Sequence, residues 1–274
     1  MKFALFSRTD NPNIQDIITT IESKGLSYQL NPQQIDDTYS VAVTIGGDGT
    51  LLNTVRQIVN STRSLASLPI LGINSGRLGF LTKIQIPQWE ESIDRLLKVQ
   101  YNIDERKLLE INGIGFNEKH FALNEFTLQR NGFSIIEIEL KIDNVEVARF
   151  FADGIIVATP TGSTAYSMSV GGAILSPDNE SFIIAPVATH NLSLRPIVIS
   201  NNSNVEITAR SRNENGVVMT SDNLEGHVAK ELKFTIKQAD KSLKLISFDN
   251  KCSPQFYQTL RDKLNWGVDV RTLD

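Results

Sequence analysis

The stretch VAVTIGGDGTL, residues 41–51, decides the fold of the first part of the chain. Its run of apolar and β-branched residues predicts a short buried strand, and its glycines predict a tight turn before a helical pattern over residues 51–59. Residues 3–6 and 69–73 predict two more buried strands. Between residues 6 and 41, isoleucines recur at the spacing of one helix face: Ile14, Ile17, Ile18 and Ile21. Strands that alternate with helices predict a parallel sheet covered by helices.

The pattern changes after a further helix predicted over residues 89–97. Asp143-Asn144 is a plausible hairpin turn, and strand patterns now dominate, covering residues 121–128, 135–142, 145–151, 155–158, 197–199, 205–208 and 232–236. Helical spacing returns at Tyr257, Leu260 and Leu264. We therefore expect an α/β domain of residues 1–103, a β-rich domain of residues 104–249, and a tail, residues 250–274, that returns to the first domain.

The composition of the chain argues against several classes of partner. Lysine and arginine number 27 against 31 acidic residues, so the basic surplus of a general nucleic-acid binder is missing. No stretch approaches the roughly 18 apolar residues that a membrane helix needs. The single cysteine, Cys252, cannot form an intrachain disulfide. We therefore expect a cytoplasmic protein that binds neither nucleic acid nor membrane.

The glycine-rich turn is the strongest candidate for chemistry, because open α/β sheets bind ligands beyond the carboxyl ends of their strands. Glycines let the backbone approach a phosphate, and a helix N-terminus directs N–H groups at an anion. The candidate phosphate ligands are Gly46, Gly47, Gly49 and Thr50. The carboxylate of Asp48 would repel phosphate, which favours a role in accepting a proton from a hydroxyl or in holding a metal. The alternative is a turn in which Asp48 merely caps the helix.

A second candidate segment, residues 152–169, ends a strand and enters a loop rich in hydroxyl groups. Thr161, Ser163 and Thr164 offer hydrogen bonds to phosphate or ribose oxygens, and Tyr166 offers a flat face to a base. The alternative is a serine- and threonine-rich turn that caps a helix.

Asn124 and Glu125 are two adjacent polar residues inside an apolar strand pattern. An asparagine can pair with an adenine edge through its donor and its acceptor, and a glutamate can accept hydrogen bonds from ribose hydroxyls. A bulge or an edge strand with both side chains in solvent is the alternative reading.

Other nucleotide and metal motifs are missing from the sequence. The chain has neither the P-loop pattern nor G-x-G-x-x-G, and it lacks the H-R-D of protein kinases. His120, His190 and His227 are widely separated and form no H-E-x-x-H, so a zinc site is not expected. The residues therefore leave the identity of any metal ligand unknown.

Together these segments resemble the NAD kinase family. The resemblance rests on residues 46–50 (GGDGT), 72–81 (GINSGRLGFL), 124–125 (NE), 153–154 (DG), 159–167 (TPTGSTAYS), 190–198 and 260–267 (LRDKLNWG). These segments occur in the family's order and span nearly the whole chain. Phosphofructokinases and lipid kinases carry a similar GGDG, and the longer TPTGSTAYS segment separates them from this family.

The resemblance implies ATP-dependent phosphorylation of the adenosine ribose 2′-hydroxyl of NAD to give NADP, with Mg²⁺ or Mn²⁺ and with Asp48 as proton acceptor. It implies a phosphofructokinase-like α/β domain followed by a β-rich domain, in a homodimer or homotetramer. The residues that it places at the NAD site are Asp48, Gly49, Asn124, Glu125, Asp153, Thr164, Ala165, Tyr166, Ser167, Met168, Ser169 and Ala188.

Two positions depart from the family's pattern. The family often has a basic residue two before its Asp-Gly pair, where this chain has Phe151 and the nearest base is Arg149. It also often has Asp-Gly-Gln late in the second domain, where this chain has Asp222-Asn223-Leu224. Two alternatives remain: a lipid kinase, which should bring a membrane-facing basic or amphipathic stretch, and a dinucleotide-sensing module without catalysis.

Overall fold

The computed structural model describes residues 1–59, 68–114, 119–222, 224–249 and 252–267. The chain divides into two units, Met1–Arg106 with Ser242–Asp274, and Lys107–Lys241. The first unit is α/β and the second is built mainly of strands, which confirms the predicted fold class. Among the described residues, the helices are too short or too polar to cross a membrane.

A parallel sheet forms the centre of the first unit. Its elements, in chain order, are β1 (Lys2–Ser7), α1 (Ile14–Ser23), β2 (Ser27–Leu30), β3 (Val41–Ile45), α2 (Asp48–Val59), β4 (Ile70–Asn74), β5 (Ile84–Gln85) and α3 (Trp89–Leu97). The strands lie side by side in the order β2-β1-β3-β4, and β5 pairs with β4. The strands and helices predicted between residues 3 and 97 are therefore confirmed.

Apolar packing explains why these residues fold in this way. Helices usually cover both faces of a parallel sheet, so its central strands are mostly apolar. Every residue of β3 and β4 is buried, whereas the edge strand β2 is largely exposed. Ile17 and Ile21 of the predicted helix face are fully buried against Phe3 and Leu5 of β1. On α3, Trp89 belongs to the same core.

The strand order creates a switch point between β1 and β3. The chain leaves β1 toward β2 on one side, whereas it leaves β3 toward β4 on the other side. In open α/β sheets a switch point of this kind, at the carboxyl ends of the strands, is where ligands bind. Residues 46–50 follow β3 at this point.

Two antiparallel sheets form the second unit. Its elements are β6 (Asn102–Gly113), β7 (Lys119–Ala122), β8 (Glu125–Arg130), β9 (Ile136–Ile142), β10 (Val145–Ala152), β11 (Gly154–Ala158), α4 (Tyr166–Ser169), β12 (Ser181–Val187), β13 (Ile197–Ser200), β14 (Val205–Ser211), β15 (Val217–Ser221), β16 (Leu224–Ala229) and β17 (Glu231–Ser247). The strand orders are β10-β9-β14-β17 and β13-β12-β11-β8-β15-β16, and β6 pairs with β7 and β17. The helix α5 (Cys252–Leu264) follows β17.

One apolar core joins the two sheets of the second unit. Phe126 of β8 and Phe234 of β17 are fully buried, and their ring centroids lie 5.1 Å apart. This arrangement is that of a sandwich, in which the inner faces of two sheets supply the core.

The strand predictions are correct where apolar residues alternate or cluster, and they are wrong at one informative place. The predicted strand over residues 121–128 is two strands, because Leu123 and Asn124 leave the ladder between β7 and β8. The hairpin at Asp143-Asn144 is confirmed, and both residues have the positive φ, 50° and 67°, that a two-residue type I′ turn requires. The strands β2, β5, β6, β12, β15 and β16 were missed.

Candidate active site

Asp48 is the first residue of α2, and its carboxylate is held by the backbone of another segment. Its Oδ2 atom accepts the N–H of Phe80 at 2.8 Å, and Oδ1 accepts the N–H groups of Leu81 and Thr82, both at 3.0 Å. The Thr82 hydroxyl donates a further bond to Oδ1 at 3.1 Å. The carboxylate is therefore fixed in orientation, although about a quarter of the side chain, 26%, stays exposed.

The turn before α2 leaves the helix N-terminus at the switch point. The carbonyl of Gly47 accepts the N–H groups of Thr50 at 3.0 Å and Leu51 at 3.3 Å, so Gly47 occupies the capping position and the alternative in which Asp48 caps the helix is wrong. At Gly46 a Cβ would lie 2.3 Å from Thr50 Oγ1, which explains the glycine there. The first N–H groups of a helix have no acceptor within it, so this end of α2 suits an anion.

A cation from α5 stands beside this carboxylate. Lys263 Nζ lies 3.7 Å from Asp48 Oδ2 and 4.9 Å from the centroid of the Phe80 ring. The Phe80 ring also contacts Phe256 of α5, with centroids 5.9 Å apart. The segment over residues 260–267 thus contributes a positive charge to the same corner of the first unit.

In the second unit, the residues around Asn124 and Glu125 are held by two neighbouring strands. The Asp222 carboxylate follows β15 and accepts the N–H groups of Leu123, Asn124 and Glu125 at 2.7, 2.8 and 3.1 Å. On the other side, Thr159 follows β11 and donates its N–H to the Asn124 carbonyl at 2.9 Å and its hydroxyl to the Leu123 carbonyl at 2.5 Å. These bonds replace the strand ladder that the sequence pattern suggested.

Glu125 has an unusual environment for a carboxylate. The residue is only 2% exposed, and its Oε2 atom has no hydrogen-bond partner among the described residues. Burial raises the pKa of Glu125 to about 7. The neighbouring Asp222 carboxylate adds to this shift, and a hydrogen bond from the Tyr166 N–H opposes it. Burial also raises the pKa of Asp222 to about 6, against the lowering effect of the backbone N–H groups of residues 123–125.

The hydroxyl-rich segment packs directly onto Asn124. A Cβ at Gly162 would lie 2.1 Å from the Asn124 carbonyl oxygen, so the short 3₁₀ turn Thr161–Thr164 can approach this closely only with glycine there. Ser163 is fully buried and its hydroxyl exchanges hydrogen bonds with the Leu175 backbone at 3.0 and 3.2 Å. Ser167 is also fully buried, but its hydroxyl has no partner in the described part of the chain.

Asp153 and Ala188 lie at the opposite end of β11 from this group. β11 has five residues, from Gly154 to Ala158, and a strand of that length spans about 16 Å. The Asp153 N–H donates to the Val187 carbonyl at 3.0 Å, beside Ala188, which adopts a positive φ of 45°. The Asp153 carboxylate pairs with Arg130 at 2.6 Å. The structure thus brings Asn124, Glu125 and residues 164–169 together and leaves Asp153 and Ala188 as a second group.

Comparison with known proteins identifies the family. The model of the ATP-NAD kinase N-terminal domain matches residues 16–101, and that of the ATP-NAD kinase C-terminal domain matches residues 123–248. The chain belongs to the ATP-NAD kinase family. An NAD kinase of Cytophaga hutchinsonii is 33% identical over 99% of this chain and 100% of its own length. An NAD kinase of Bacteroides fragilis is 40% identical over 84% of this chain and 78% of its own length.

Solved NAD kinase structures agree with this assignment. The crystal structure of an NAD kinase from Archaeoglobus fulgidus in complex with ATP is 26% identical, with a TM-score of 0.79 over 95% of this chain and 99% of that chain. The crystal structure of yeast NADH kinase complexed with NADH, at 20% identity and a TM-score of 0.87 over 100% of this chain and 90% of that chain, shares the fold. The chain is therefore an enzyme that phosphorylates NAD with ATP, and the lipid kinase and sensing-module alternatives are set aside.

The two departures from the NAD kinase pattern have different structural outcomes. Arg149, the base nearest to Phe151 in sequence, pairs with Glu139 at 2.9 Å, whereas the Arg212 guanidinium lies 5.2 Å from the centroid of the Phe151 ring. Asp222 anchors residues 123–125, and Asn223 lies outside the described residues.

The described residues supply no metal cage of their own. They contain no group of three or more histidine, cysteine, aspartate or glutamate side chains placed to hold an ion. His120 and His227, far apart in sequence, do meet in the second unit, with ring centroids 5.5 Å apart.

Reasoning from the sequence gave no role to Lys263, Arg130 or Thr159, although Thr159 and Lys263 lie in the segments 159–167 and 260–267 that carry the resemblance. Each acts through a contact between segments far apart along the chain, so a local pattern could not indicate its partner. Asp222 was noticed only as a departure from the family pattern. The available signal was an aspartate directly after a strand that pairs beside the Asn-Glu segment. This signal could be recognised only with knowledge of the strand order.

Proposed function

We propose that Asp48 accepts the proton of the adenosine ribose 2′-hydroxyl of NAD as that oxygen attacks the γ-phosphorus of ATP. The bond from the 2′-oxygen to phosphorus forms, the bond from the γ-phosphorus to the β,γ-bridging oxygen breaks, and NADP and ADP result. The supporting observation is the fixed Asp48 carboxylate. Three donors occupy Oδ1, whereas the Phe80 N–H is the backbone donor to Oδ2, so Oδ2 retains lone pairs for a hydroxyl.

In this proposal, the turn before α2 binds the phosphate groups and stabilises their negative charge. Phosphoryl transfer depends mainly on positioning and on electrostatic stabilisation of the equatorial oxygens. The proposed phosphate-binding turn comprises Gly46, Gly47, Gly49 and Thr50 at the α2 N-terminus. The Gly46 and Thr50 N–H groups already donate to the Ile73 and Gly47 carbonyls at 2.9 and 3.0 Å, so the N–H groups proposed for phosphate are those of Gly47 and Gly49. Lys263 adds a positive charge 3.7 Å from Asp48, which favours an anionic group at this corner.

NAD binding is assigned to the residues around Glu125, with Asp153 and Ala188 as a separate contact group. The buried Glu125 Oε2 and the Ser167 hydroxyl support this proposal, because buried polar atoms normally have hydrogen-bond partners and both lack one among the described residues. Ribose hydroxyls would supply such partners. The proposed NAD contacts are Asp48, Gly49, Asn124, Glu125, Asp153, Thr164, Ala165, Tyr166, Ser167, Met168, Ser169 and Ala188.

The divalent ion is proposed to arrive with ATP. Mg²⁺ keeps much of its water shell and is commonly bound through substrate phosphates and one or two carboxylates. The lack of a metal cage among the described residues supports Mg²⁺ or Mn²⁺ held chiefly by the phosphates. We also propose a cytoplasmic location, and a homodimer or homotetramer. The proposed oligomer is supported by two exposed apolar side chains near the edge strand β13, Leu192 and Val198, 87% and 49% exposed.

Turnover of an Asp48→Asn variant with NAD, ATP and Mg²⁺ tests the central proposal. Asparagine keeps one oxygen for the donors around Oδ1, so the fold should persist while kcat falls by at least roughly 10²-fold. Asp16→Asn is the matched control, since Asp16 is an exposed acid in the first turn of α1. A well-folded Asp48→Asn variant with wild-type kcat would overturn the proposal.

A further inference from the structure

Asp222 binds three consecutive backbone N–H groups and lies directly after β15. The carboxylate accepts Leu123 N–H through Oδ2 and the N–H groups of Asn124 and Glu125 through Oδ1. Its own N–H donates to the Glu125 carbonyl at 3.0 Å. Asp222 therefore contacts the backbone of each residue from 123 to 125.

The backbone of Asp222 is strained to make these contacts. Its φ is 48°, in the left-handed region that non-glycine residues seldom adopt, although aspartate and asparagine tolerate it best. Strain of this kind persists only where the surroundings over-determine it, and it clusters at functional sites. Here the bonds to residues 123–125 hold the conformation.

The same bonds fix the interruption between β7 and β8. Without an acceptor, the N–H groups of residues 123–125 would be left unpaired inside the protein or would return to a continuous strand ladder. A continuous strand would send neighbouring side chains to opposite faces of the sheet. The Asp222 carboxylate removes that constraint from Asn124 and Glu125.

We propose that Asp222 is a positioning residue for NAD binding, which acts by holding the backbone of Asn124 and Glu125 in the interrupted conformation. The proposal rests on the assignment of this pair to the NAD site. It assigns Asp222 no contact with ATP and no part in proton transfer. Its loss therefore weakens NAD binding in the ground state and the transition state alike, which raises the KM for NAD and leaves kcat nearly unchanged.

Two substitutions at Asp222 give a graded test. Asp222→Ala removes all of these acceptors, whereas Asp222→Asn keeps one oxygen for the two N–H groups now bound to Oδ1 and loses the bond to Leu123. We expect the KM for NAD to rise at least about tenfold in the alanine variant and about threefold in the asparagine variant, with kcat and the KM for ATP nearly unchanged.

Ser221→Ala is the matched control for a purely structural effect. Ser221 precedes Asp222 and its hydroxyl donates to the Phe121 carbonyl at 2.9 Å, so its loss removes a hydrogen bond of the same loop without touching residues 123–125. Ser221→Ala should lower the melting temperature and leave the KM for NAD unchanged. If the Asp222 variants also lower the melting temperature but leave both KM values unchanged, Asp222 is structural and the proposal is wrong.

Asn124→Ala separates this proposal from the assignment of the NAD site. If Asn124→Ala leaves the KM for NAD unchanged, the site assignment fails, and with it the premise on which Asp222 depends. If Asn124→Ala raises that KM and Asp222→Asn does not, the positioning role alone is overturned. The asparagine variant decides the question if the alanine variant does not fold.

Discussion

A Cβ atom on Gly79 would lie 2.1 Å from Oδ1 of Asp48. The Asp48 carboxylate therefore fills the space that a side chain at position 79 would occupy. The same substitution would bring that Cβ to 2.7 Å from Thr82 Oγ1, which is one of the donors to Asp48. The observed orientation of the Asp48 carboxylate, the proposed proton acceptor, therefore requires glycine at position 79.

Gly79→Ala should displace Asp48 or the backbone of residues 80–82 and lower kcat by at least about tenfold, because a misplaced catalytic group loses its near-attack geometry. Overpacking should also cost about 1–3 kcal/mol of stability. Gly76→Ala is the control: this glycine lies in the same turn, and a Cβ there meets nothing within 4 Å. Steady-state kinetics and melting curves on both variants check the prediction, and equal kinetics for the two would contradict it.

Local patterns were sufficient to predict the buried strands β1, β3 and β4 and the helices α1 to α3 of the first unit, but not its strands β2 and β5. The fully buried β3 and β4 and the isoleucine face of α1 follow from their apolar residues, so each element could be located without knowledge of its neighbours. β6 could not be located in this way, because its sequence NIDERKLLEING carries charged residues at buried positions, including Arg106 and Glu110. Arg106 pairs with Asp104 at 2.5 Å and Glu110 with Lys119 at 3.2 Å, and these ion pairs permit the burial.

The proposed site residues were predicted by type, whereas their geometry required the fold. Adjacent polar residues in a strand pattern singled out Asn124 and Glu125, but the acceptor that interrupts the strand, Asp222, lies 98 residues from Asn124 in the chain. Likewise, nothing near Asp48 in sequence indicates that residues 80–82 hold its carboxylate. Long-range hydrogen bonds of this kind follow from strand pairing and chain reversal, which no single segment encodes.

The stability of the protein should fall as the pH rises toward neutrality, because of Glu125. Burial and the Asp222 carboxylate raise the pKa of Glu125 from 4.5 to about 7, although a hydrogen bond from the Tyr166 N–H opposes the shift. The folded state therefore holds a proton that the unfolded state releases over this range, so this contribution to stability is present below about pH 4.5 and is lost as the pH rises through about 7.

Glu125→Gln mimics the protonated side chain and should flatten this part of the stability profile. The free energy of unfolding without nucleotide, measured by denaturant titration at several pH values, checks the prediction. Glu146→Gln, an exposed change on β10, should keep the wild-type slope. The burial of Asp222, whose pKa is raised to about 6, leaves a smaller slope of the same sign in the Glu125→Gln variant. An identical slope in wild type and Glu125→Gln would contradict the assignment.

Removal of divalent ions should stop turnover without unfolding the protein. The described residues contain no cluster of three or more metal-ligating side chains, and the proposed ion is carried by the substrate phosphates. We expect a chelator to abolish NADP formation, Mg²⁺ or Mn²⁺ to restore it, and the melting temperature to stay the same throughout. A chelator-induced fall in melting temperature would point instead to a structural metal.

Ser167→Ala should make the free protein more stable and its binding of NAD weaker. The Ser167 hydroxyl is fully buried without a hydrogen-bond partner among the described residues, and an unsatisfied buried group costs about 1–3 kcal/mol. Alanine removes that cost in the absence of ligand, so the melting temperature should rise. In the proposed site the hydroxyl finds its partner on NAD, so its removal should raise the KM for NAD.

Ser163→Ala is the matched control for Ser167→Ala, because both serines are fully buried in the same segment. The Ser163 hydroxyl is satisfied by the Leu175 N–H at 3.0 Å and by the Leu175 carbonyl at 3.2 Å. Its loss should therefore lower the free energy of unfolding by about 1–2 kcal/mol. Opposite shifts in melting temperature for the two variants, with a higher KM for NAD in Ser167→Ala, are the expected result. If Ser167→Ala destabilises the free protein as Ser163→Ala does, the Ser167 hydroxyl already has a hydrogen-bond partner in the free protein. It would then not be an unsatisfied group that gains its partner only when NAD binds.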